Sequence, residues 1–312
     1  MPPSWRIVFM GTPETAAFTL HELLQAPDPV VGVVTQPDRP GGRGQKKRET
    51  PVHKVAEDRR IQLLAPEKLR GEEFLNALAS WKPDLIVVVA YGRILPPQVL
   101  TLPPQGCLNV HYSLLPKYRG AAPVARAILN GEKKTGVTTM KLVEKMDAGP
   151  ILLQEELLLA PDDTAASLQT RLSPLGAKLL LETIRKLKAG SVVPVLQREE
   201  EATYAPMIKK EDGRIDWSQP AEIIERRARA LYPWPSTYTQ WRGKLLKVHR
   251  ATVLKGEKNG FPGEVIRADS GGLWVATGED VLSLEEVQVE NKKRLSSPEF
   301  LKGAHLKPGE RL

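Results

Sequence analysis

An asparagine and a histidine two residues apart, Asn109 and His111, have side chains suited to the transfer of an acyl group. They lie in an apolar run typical of a β-strand, in which alternate side chains point to the same face. The amide of Asn109 could stabilise a developing oxyanion, and the imidazole of His111 could move protons to and from a nitrogen. The spacing by itself favours a simpler interpretation, in which Asn109 caps a turn and His111 is a structural histidine.

The segments around this pair alternate strand-like and helical patterns, which is typical of an α/β fold. The strand-like runs are at 6–10, 30–35, 61–64 and 84–92. The last of them is apolar on both faces, as a buried parallel strand requires. This alternation predicts a Rossmann-like parallel sheet with right-handed crossovers. Two further strands, at 137–143 and 151–158, are predicted to form a hairpin whose turn contains Asp147.

The second half of the chain has a different pattern. Pro174 interrupts a helical stretch and predicts a kink or break there, with Ser173 capping a second helix. From 192 to 204 the periodicity disappears, which indicates a linker. Short strand-like runs bounded by turn residues follow and predict a small, OB-like β-barrel. We therefore expect a catalytic domain at 1–189, a linker at 190–206 and a C-terminal β-barrel domain at 207–312.

The net charge of +8 indicates an anionic partner, with nucleic acid first among the candidates. Half of this excess lies between residues 36 and 54, where six basic side chains accompany Asp38 and Glu49. The basic residues are Arg39, Arg43, Lys46, Lys47, Arg48 and Lys54. A charge run is usually a solvated loop, but this one follows a predicted strand at the carboxyl edge of the sheet, where ligands bind in open α/β folds.

The single cysteine, Cys107, excludes an internal disulfide framework and a thiolate zinc site, and fits a reducing compartment. The scattered histidines show no ligand spacing, so we expect no metal. No run approaches the roughly 20 apolar residues of a membrane span, and no signal-peptide pattern precedes the first strand. We expect a cytoplasmic monomer that does not associate with membranes.

Several common nucleotide and hydrolase motifs are missing from the sequence. Gly11 follows the first predicted strand, but the second and third glycines of G-x-G-x-x-G are absent, which excludes close approach to a dinucleotide pyrophosphate. The sequence also contains neither G-x-x-x-x-G-K-[ST] nor G-x-S-x-G, so it supports neither nucleotide hydrolysis nor serine esterase chemistry.

The motif around the pair resembles the folate-dependent formyltransferases. The resemblance is carried by Asn109-x-His111-x-Ser113-Leu114-Leu115-Pro116 and by the downstream Asp147-Ala148-Gly149. Further matching segments are 9–13, 35–40, 42–44, 88–92, 119–123, 214–217 and 234–235, so it covers nearly the whole chain. Two positions depart from the family pattern: Tyr112 is usually small or proline, and Ala148 replaces the usual threonine. Both changes could alter the shape of the pocket.

The resemblance implies transfer of the formyl group of 10-formyltetrahydrofolate to the amino group of methionine esterified to initiator tRNA, a step that supports translation initiation. It assigns Asn109 to the formyl oxygen, His111 to proton transfer, and Asp147 to orienting His111 and favouring its charged form. The amine attacks directly, without a covalent enzyme intermediate. The implied folate-binding residues are Ser113, Leu114, Leu115, Pro116, Tyr91 and Gly92. The implied tRNA-binding residues are Arg39, Arg43, Lys46, Lys47 and Arg48.

Three functions are compatible with these features. The first is formylation of tRNA, the second is formylation of a small amine such as a nucleotide-sugar or purine precursor, and the third is tRNA binding without catalysis. The intact set of Asn109, His111 and Asp147 argues against the third. The basic segment and the additional C-terminal domain argue against the second, because a small substrate needs neither.

Overall fold

The computed structural model describes residues 4–40, 47–256 and 260–312. The chain divides into two compact units. Unit 1 consists of Met1–Pro123, Lys134–Leu158 and Gln169–Pro206, and unit 2 consists of Val124–Lys133, Leu159–Leu168 and Met207–Leu312. The second unit thus includes two short segments from within residues 1–189, which the expected division assigned to the catalytic domain.

Unit 1 is built on a mixed sheet that is parallel over most of its width. Its strands are β1 Ile7–Gly11, β2 Val30–Val34, β5 Leu63–Leu64, β6 Leu85–Val89, β7 Cys107–His111, β8 Lys134–Lys141 and β9 Ile151–Leu158; β3 Arg39–Pro40 and β4 Lys47–Arg48 form a separate antiparallel pair. Within the described residues the strand order is β5-β2-β1-β6-β7-β8-β9. The pairs from β5 to β7 are parallel, whereas β8 and β9 form an antiparallel hairpin. The predicted Rossmann-like sheet and the hairpin beside it are confirmed.

The strands at the centre of this sheet are buried on both faces. Every residue of β1, β6 and β7 is buried, which explains their nearly uninterrupted apolar composition. Asn109 and His111 are the polar exceptions, and they lie at the carboxyl end of β7. Asn109 pairs in register with Val88 of the parallel strand β6. The side chains of Asn109 and His111 therefore belong to the carboxyl edge of the sheet, where open α/β folds bind ligands.

The helices are α1 Glu14–Leu23, α2 Pro51–Asp58, α3 Glu72–Ser80, α4 Pro97–Leu100, α5 Pro123–Leu129, α6 Ala165–Lys188, α7 Ala221–Ala230 and α8 Ser297–Ala304. The break predicted at Pro174 is wrong, because α6 continues through it. Ser173 does not cap a second helix; its hydroxyl donates to the carbonyl of Gln169 one turn earlier, at 2.7 Å. No helix among the described residues is long and apolar enough to cross a membrane.

Unit 2 contains an antiparallel sheet, as predicted for the C-terminal region. Its strands are β10 Thr237–Trp241, β11 Lys244–Leu254, β12 Val265–Asp269, β13 Gly272–Ala276, β14 Val281–Val289 and β15 Leu295–Ser296. The order is β10-β11-β14-β13-β12, and β15 pairs with β14. Helix α7 packs against β11 and α8 packs against β13 and β14, which encloses an apolar core around Leu246, Val275 and Phe300.

The segment from 190 to 206, expected to be a linker, is bonded into unit 1. Val195 exchanges two backbone hydrogen bonds of 2.8 Å with Ile151 at the start of β9. Further along, the carbonyl of Thr203 accepts from the amide of Arg119 at 2.9 Å, and the amide of Ala205 donates to the carbonyl of Arg119 at 2.7 Å. Isolated bridges of this kind impose no alternation of side chains, so the sequence pattern carries no sign of them.

Candidate active site

Strand β7 presents Asn109 and His111 on one face, as the two-residue spacing predicts. They are 8% and 6% exposed. The opposite face carries Val110 and Tyr112, which pack against Gly176 of α6, where an added Cβ would lie 3.1 Å from each. Tyr112, one of the two departures from the family pattern, therefore points away from Asn109 and His111.

The imidazole of His111 is held at one nitrogen and open at the other. Its Nε2 lies 2.9 Å from the carbonyl oxygen of Tyr118. A carbonyl can only accept, so Nε2 carries the hydrogen. The Nδ1 atom faces the carboxylate of Asp147, 3.7 Å from its Oδ2. That separation is an ion-pair distance rather than a hydrogen bond, and it leaves Nδ1 available to exchange a proton.

Among the residues that the structure describes, the amide of Asn109 makes no side-chain hydrogen bond, and its nitrogen and oxygen are not among the fully buried atoms that lack a partner, so they keep some exposed surface. A polar side chain that is largely buried normally has a partner. Here the amide lies on the same strand face as the proton-exchanging nitrogen of His111. The pair can therefore present a hydrogen-bond donor and a base to one bound group.

Asp147 occupies the turn between β8 and β9 in a left-handed conformation, with φ of +48°. Its Oδ2 accepts from the backbone amide of Gly120 at 2.8 Å. Two residues later, Gly149 passes so close to β8 that an added Cβ would lie 1.7 Å from the carbonyl oxygen of Lys141. Only glycine fits there, which explains the glycine of the Asp-Ala-Gly motif.

Gln197 connects this turn to a buried arginine. Its Nε2 donates to the carbonyl oxygens of Asp147 and Gly149, at 2.8 and 2.7 Å. Its Oε1 accepts from Nε of Arg119 at 3.0 Å, and the Arg119 side chain is only 1% exposed. Glu199 accepts from Nη1 of the same guanidinium at 2.9 Å.

Glu199 also accepts from Nζ of Lys145 at 2.6 Å. The hydrogen bonds from Lys145 and then from Arg119 lower the pKa of Glu199 to about 2. Glu199 is therefore ionised throughout the neutral range. It provides the negative charge that accompanies the buried guanidinium of Arg119.

The loop from Ser113 to Pro116 is shaped by two polar side chains of the β8–β9 hairpin. The hydroxyl of Thr138 donates to the carbonyl of Ser113 at 2.6 Å and accepts from the amide of Leu115 at 3.1 Å. Gln154 donates to the carbonyl of Leu115 at 2.8 Å. The side chains of Ser113 and Leu115 are buried, whereas Leu114 and Pro116 are half-exposed. Of the four residues, Leu114 and Pro116 present accessible side chains.

The other segment predicted to bind folate contains Tyr91 and Gly92. The ring of Tyr91 is 2% exposed in the apolar core, and burial raises the pKa of its hydroxyl to about 12. Its carbonyl accepts from the side chains of Gln36 and Thr12, at 2.8 and 3.2 Å. Gly92 follows with φ of +79° and an exposed surface. This loop can therefore offer a ligand its backbone, but not the tyrosine ring.

Two of the predicted tRNA-binding residues, Arg39 and Arg48, lie in the β3–β4 pair with their side chains described. Arg39 and Arg48 are directly opposite each other in this pair, and both are exposed. Arg43, Lys46 and the side chain of Lys47 lie outside the described residues. The base of the segment is fixed, because Asp38 accepts from the amide of Thr50 at 3.2 Å and pairs with Nδ1 of His53 at 3.1 Å.

Two chemical alternatives find little support in the structure. Cys107 is 2% exposed, and burial raises the pKa of its thiol to about 12, so it is a poor nucleophile at neutral pH. The described part of the chain contains no group of three or more His, Cys, Asp or Glu residues that could hold a metal ion.

Sequence reasoning missed several residues that position this site, namely Thr138, Gln154 and Gln197. The two hairpin residues are ordinary polar positions in an alternating pattern. Gln197 lies in a segment without periodicity. None of the three carries a local signal, because each acts on backbone groups that are distant in sequence.

Comparison with known proteins gives consistent matches along the chain. The profile of the family Formyl transferase matches residues 5–184, and that of Formyl transferase, C-terminal domain matches 207–305. A methionyl-tRNA formyltransferase of Desulfotalea psychrophila is 49% identical over 303 residues, which cover 97% of this chain and 94% of that protein.

Two solved structures have a similar fold. HypX from Aquifex aeolicus in complex with tetrahydrofolic acid has a TM-score of 0.64 and 20% identity, over 96% of this chain and 48% of that one. WlaRD, a sugar 3N-formyl transferase in the presence of dTDP and 5-N-formyl-THF, has a TM-score of 0.66 and 19% identity, over 93% and 100% of the two chains. At these identities the likeness shows the fold alone.

Proposed function

We propose that this chain, which belongs to the formyl transferase family, transfers the formyl group of 10-formyltetrahydrofolate to the amino group of methionine esterified to initiator tRNA. The observation that carries the proposal is the shared face of Asn109 and His111, with Asp147 3.7 Å from the imidazole. Similarity to methionyl-tRNA formyltransferases over nearly the whole chain supports the acceptor. The family predicted from the motif is thereby confirmed.

In the proposed mechanism, Asn109 acts on the formyl oxygen. The folate supplies the formyl carbon and the nitrogen that leaves, and the methionyl amine attacks that carbon directly. A new C–N bond forms, the bond to the folate nitrogen breaks, and negative charge develops on the oxygen in between. The amide of Asn109 donates to this oxygen, an interaction that typically contributes about 10²- to 10³-fold in rate.

His111 moves the proton that this exchange requires. Its Nδ1 takes the proton from the attacking amine and returns it to the leaving folate nitrogen, so the imidazole ends in its original state. Such transfer typically contributes about 10²- to 10⁴-fold. The Tyr118 carbonyl keeps the hydrogen on Nε2, and the Asp147 carboxylate stabilises the positive charge that the ring carries between the two steps.

The proposed contacts follow from what is accessible. Leu114 and Pro116 offer the folate an apolar edge, Gly92 offers it backbone, and Ser113 and Leu115 hold the loop in shape. The segment from Arg39 to Arg48 supplies the charge for the tRNA. Because the acceptor belongs to translation, we propose that the enzyme acts in the cytoplasm. We further propose that it acts as a monomer.

One assay distinguishes this function from the alternatives. The protein is incubated with 10-formyltetrahydrofolate and methionyl-initiator tRNA, methionyl-elongator tRNA or an amino-sugar nucleotide, and formylated products are quantified. We expect formylmethionine from the initiator tRNA, and a loss of kcat in Asn109→Ala and His111→Ala with the folded state retained. Formylation of the amino-sugar nucleotide alone would show that the acceptor is a small amine and not the tRNA. Binding of tRNA without any formyl product would indicate a module that does not catalyse.

A further inference from the structure

A segment of three residues, from Tyr118 to Gly120, contacts both ionisable side chains of the site through its first and last residues. The carbonyl of Tyr118 accepts from Nε2 of His111 at 2.9 Å. The amide of Gly120 donates to Oδ2 of Asp147 at 2.8 Å. We refer to residues 118–120 as the strap. Because one short piece of backbone holds both groups, any shift of the strap relative to the turn at 147–149 changes the geometry of the pair.

The backbone of the strap is attached to the segment that follows α6. The amide of Arg119 donates to the carbonyl of Thr203 at 2.9 Å, and the amide of Ala205 donates to the carbonyl of Arg119 at 2.7 Å. The amide of Tyr118 donates to the Thr203 hydroxyl at 2.9 Å. Thr203 and Ala205 lie between the two matched family segments, the first of which ends at 184 and the second of which begins at 207.

Gln197, in the same segment, joins the strap to the turn at 147–149. Its oxygen accepts from the side chain of Arg119, and its nitrogen donates to the carbonyls of Asp147 and Gly149. Both donors of the amide are therefore used on the two ends of one three-residue turn. Asp147 has φ of +48°, a conformation that a residue other than glycine adopts only when the surroundings hold it there.

We infer that Gln197 is a positioning residue for formyl transfer, and that its amide nitrogen fixes the Asp147 carboxylate at its distance from His111. This inference rests on the proposed function for its kinetic consequence and on the hydrogen bonds alone for its structural one. Since displacements of about 1 Å in an active site can cost about 10²-fold in rate, the expected effect is on kcat.

Two substitutions test the donor role of Gln197. Gln197→Glu retains the length of the side chain and the oxygen that accepts from Arg119, but places an oxygen opposite the carbonyls of Asp147 and Gly149. Gln197→Ala removes these three bonds and the 3.9 Å contact of the amide nitrogen with Sδ of Met140. The matched control is Gln98→Ala in α4, an exposed glutamine with no side-chain hydrogen bond to the described residues. We expect kcat to fall by about 10- to 100-fold in both Gln197 variants. The KM for the folate should stay close to that of the control, whereas the melting temperature should fall by a few degrees in Gln197→Ala, because Arg119 and the turn at 147–149 lose hydrogen bonds.

A second measurement does not depend on the acceptor. The chain has five histidines, so the ring carbon–proton correlation of His111 can be assigned by comparison with His111→Ala. We expect this signal to move in both Gln197 variants and to stay unchanged in Gln98→Ala. If the wild-type enzyme forms no formylmethionine but the signal moves, the proposed function fails and the positioning role stands.

Four results would overturn the inference. The first is wild-type kcat in Gln197→Ala, and the second is wild-type kcat in Gln197→Glu, since either shows that donation to the turn is not needed. The third is a parallel loss of folate binding, melting temperature and kcat in both variants, which indicates a role in general stability. An unmoved His111 signal in Gln197→Glu would exclude the geometric effect directly.

Discussion

The Nδ1 atom of His111 lies 3.7 Å from Oδ2 of Asp147, while Oδ2 itself accepts a 2.8 Å hydrogen bond from the backbone of Gly120. The carboxylate is thus fixed by the backbone and acts on the imidazole through its charge. This arrangement differs from a carboxylate that accepts a hydrogen bond from the ring and so determines its tautomer. Here the Tyr118 carbonyl determines the tautomer, and Asp147 is left to stabilise positive charge.

Asp147→Asn separates the charge of this residue from its position. The asparagine oxygen can still accept from Gly120, and asparagine tolerates the left-handed conformation at least as well as aspartate. We therefore expect an unchanged melting temperature and a kcat lower by about 10²-fold, because the proton-carrying imidazolium loses its counter-charge. Steady-state formylation with saturating tRNA measures it. A kcat within about twofold of the wild type would show that the charge is dispensable and that Asp147 only completes the turn.

Thr138→Val tests the loop from Ser113 to Pro116. Valine has nearly the shape of threonine but cannot donate to Ser113 or accept from Leu115, so both backbone groups lose a buried partner. Each loss costs about 1–3 kcal/mol if the loop stays in place, which favours its rearrangement. We expect the KM for 10-formyltetrahydrofolate to rise by about tenfold or more, with a smaller change in KM for tRNA.

The control for this substitution is Thr135→Val on the same strand, since Thr135 is also buried but makes no side-chain hydrogen bond to the loop among the described residues. Equal changes in the KM for the folate and the KM for tRNA in Thr138→Val would indicate general damage to β8. An unchanged KM for 10-formyltetrahydrofolate in Thr138→Val would remove Ser113–Pro116 from the folate site.

The stability of the enzyme at high pH should report on Cys107. Burial raises the pKa of this thiol from 9.0 to about 12. A group whose folded-state pKa is raised contributes stability that is complete below its unfolded pKa and is lost as pH rises towards the folded value. Between pH 9 and 12 the free energy of unfolding should therefore fall by about 1.4 kcal/mol per pH unit through this residue.

Urea unfolding of the wild type and Cys107→Ala, each at pH 8 and pH 11, measures this contribution. The variant is expected to be less stable at pH 8, because it loses buried volume, and to lose less stability on going to pH 11. Tyr91, whose pKa burial also raises to about 12, is present in both proteins and cancels in the comparison. Parallel losses would show that the thiol does not titrate on unfolding.

The parts of the site that the sequence predicts are those governed by local rules. Asn109 and His111 share a face because side chains alternate along a strand, and the hairpin that carries Asp147 follows from two strands with a glycine-containing turn between them. The resemblance to the family added their roles. Neither source indicates that the Tyr118 carbonyl holds His111, because that bond depends on how a loop folds back over the strand.

The one error, and two features that the sequence does not indicate, have equally specific causes. Pro174 does not break α6, since a proline removes one hydrogen bond and the buried face of the long helix holds the remaining turns together. The segment with Gln197 lacks apolar periodicity, yet it is bonded to the strap through backbone groups, which any sequence can supply. Tyr91 belongs to a motif that matches the family, but its ring lies in the core, so only its backbone contributes to the surface of the loop that contains Gly92.

Arg39 and Arg48 provide the last prediction, on the tRNA. They are directly opposite each other in the β3–β4 pair and exposed, and like charges in that relationship destabilise a pair of strands. A polyanion bound there would relieve the repulsion and release counterions, so each side chain that contacts a phosphate should steepen the salt dependence. In Arg39→Ala/Arg48→Ala we expect kcat/KM for methionyl-tRNA to fall by at least tenfold at 150 mM salt, and the slope of log kcat/KM against log salt to become shallower by about 2. The KM for the folate should not change.

Arg59→Ala, which removes an exposed arginine at the far end of α2, is the matched control and should leave the slope at its wild-type value. The same slope in all three proteins would show that the tRNA binds elsewhere on the enzyme.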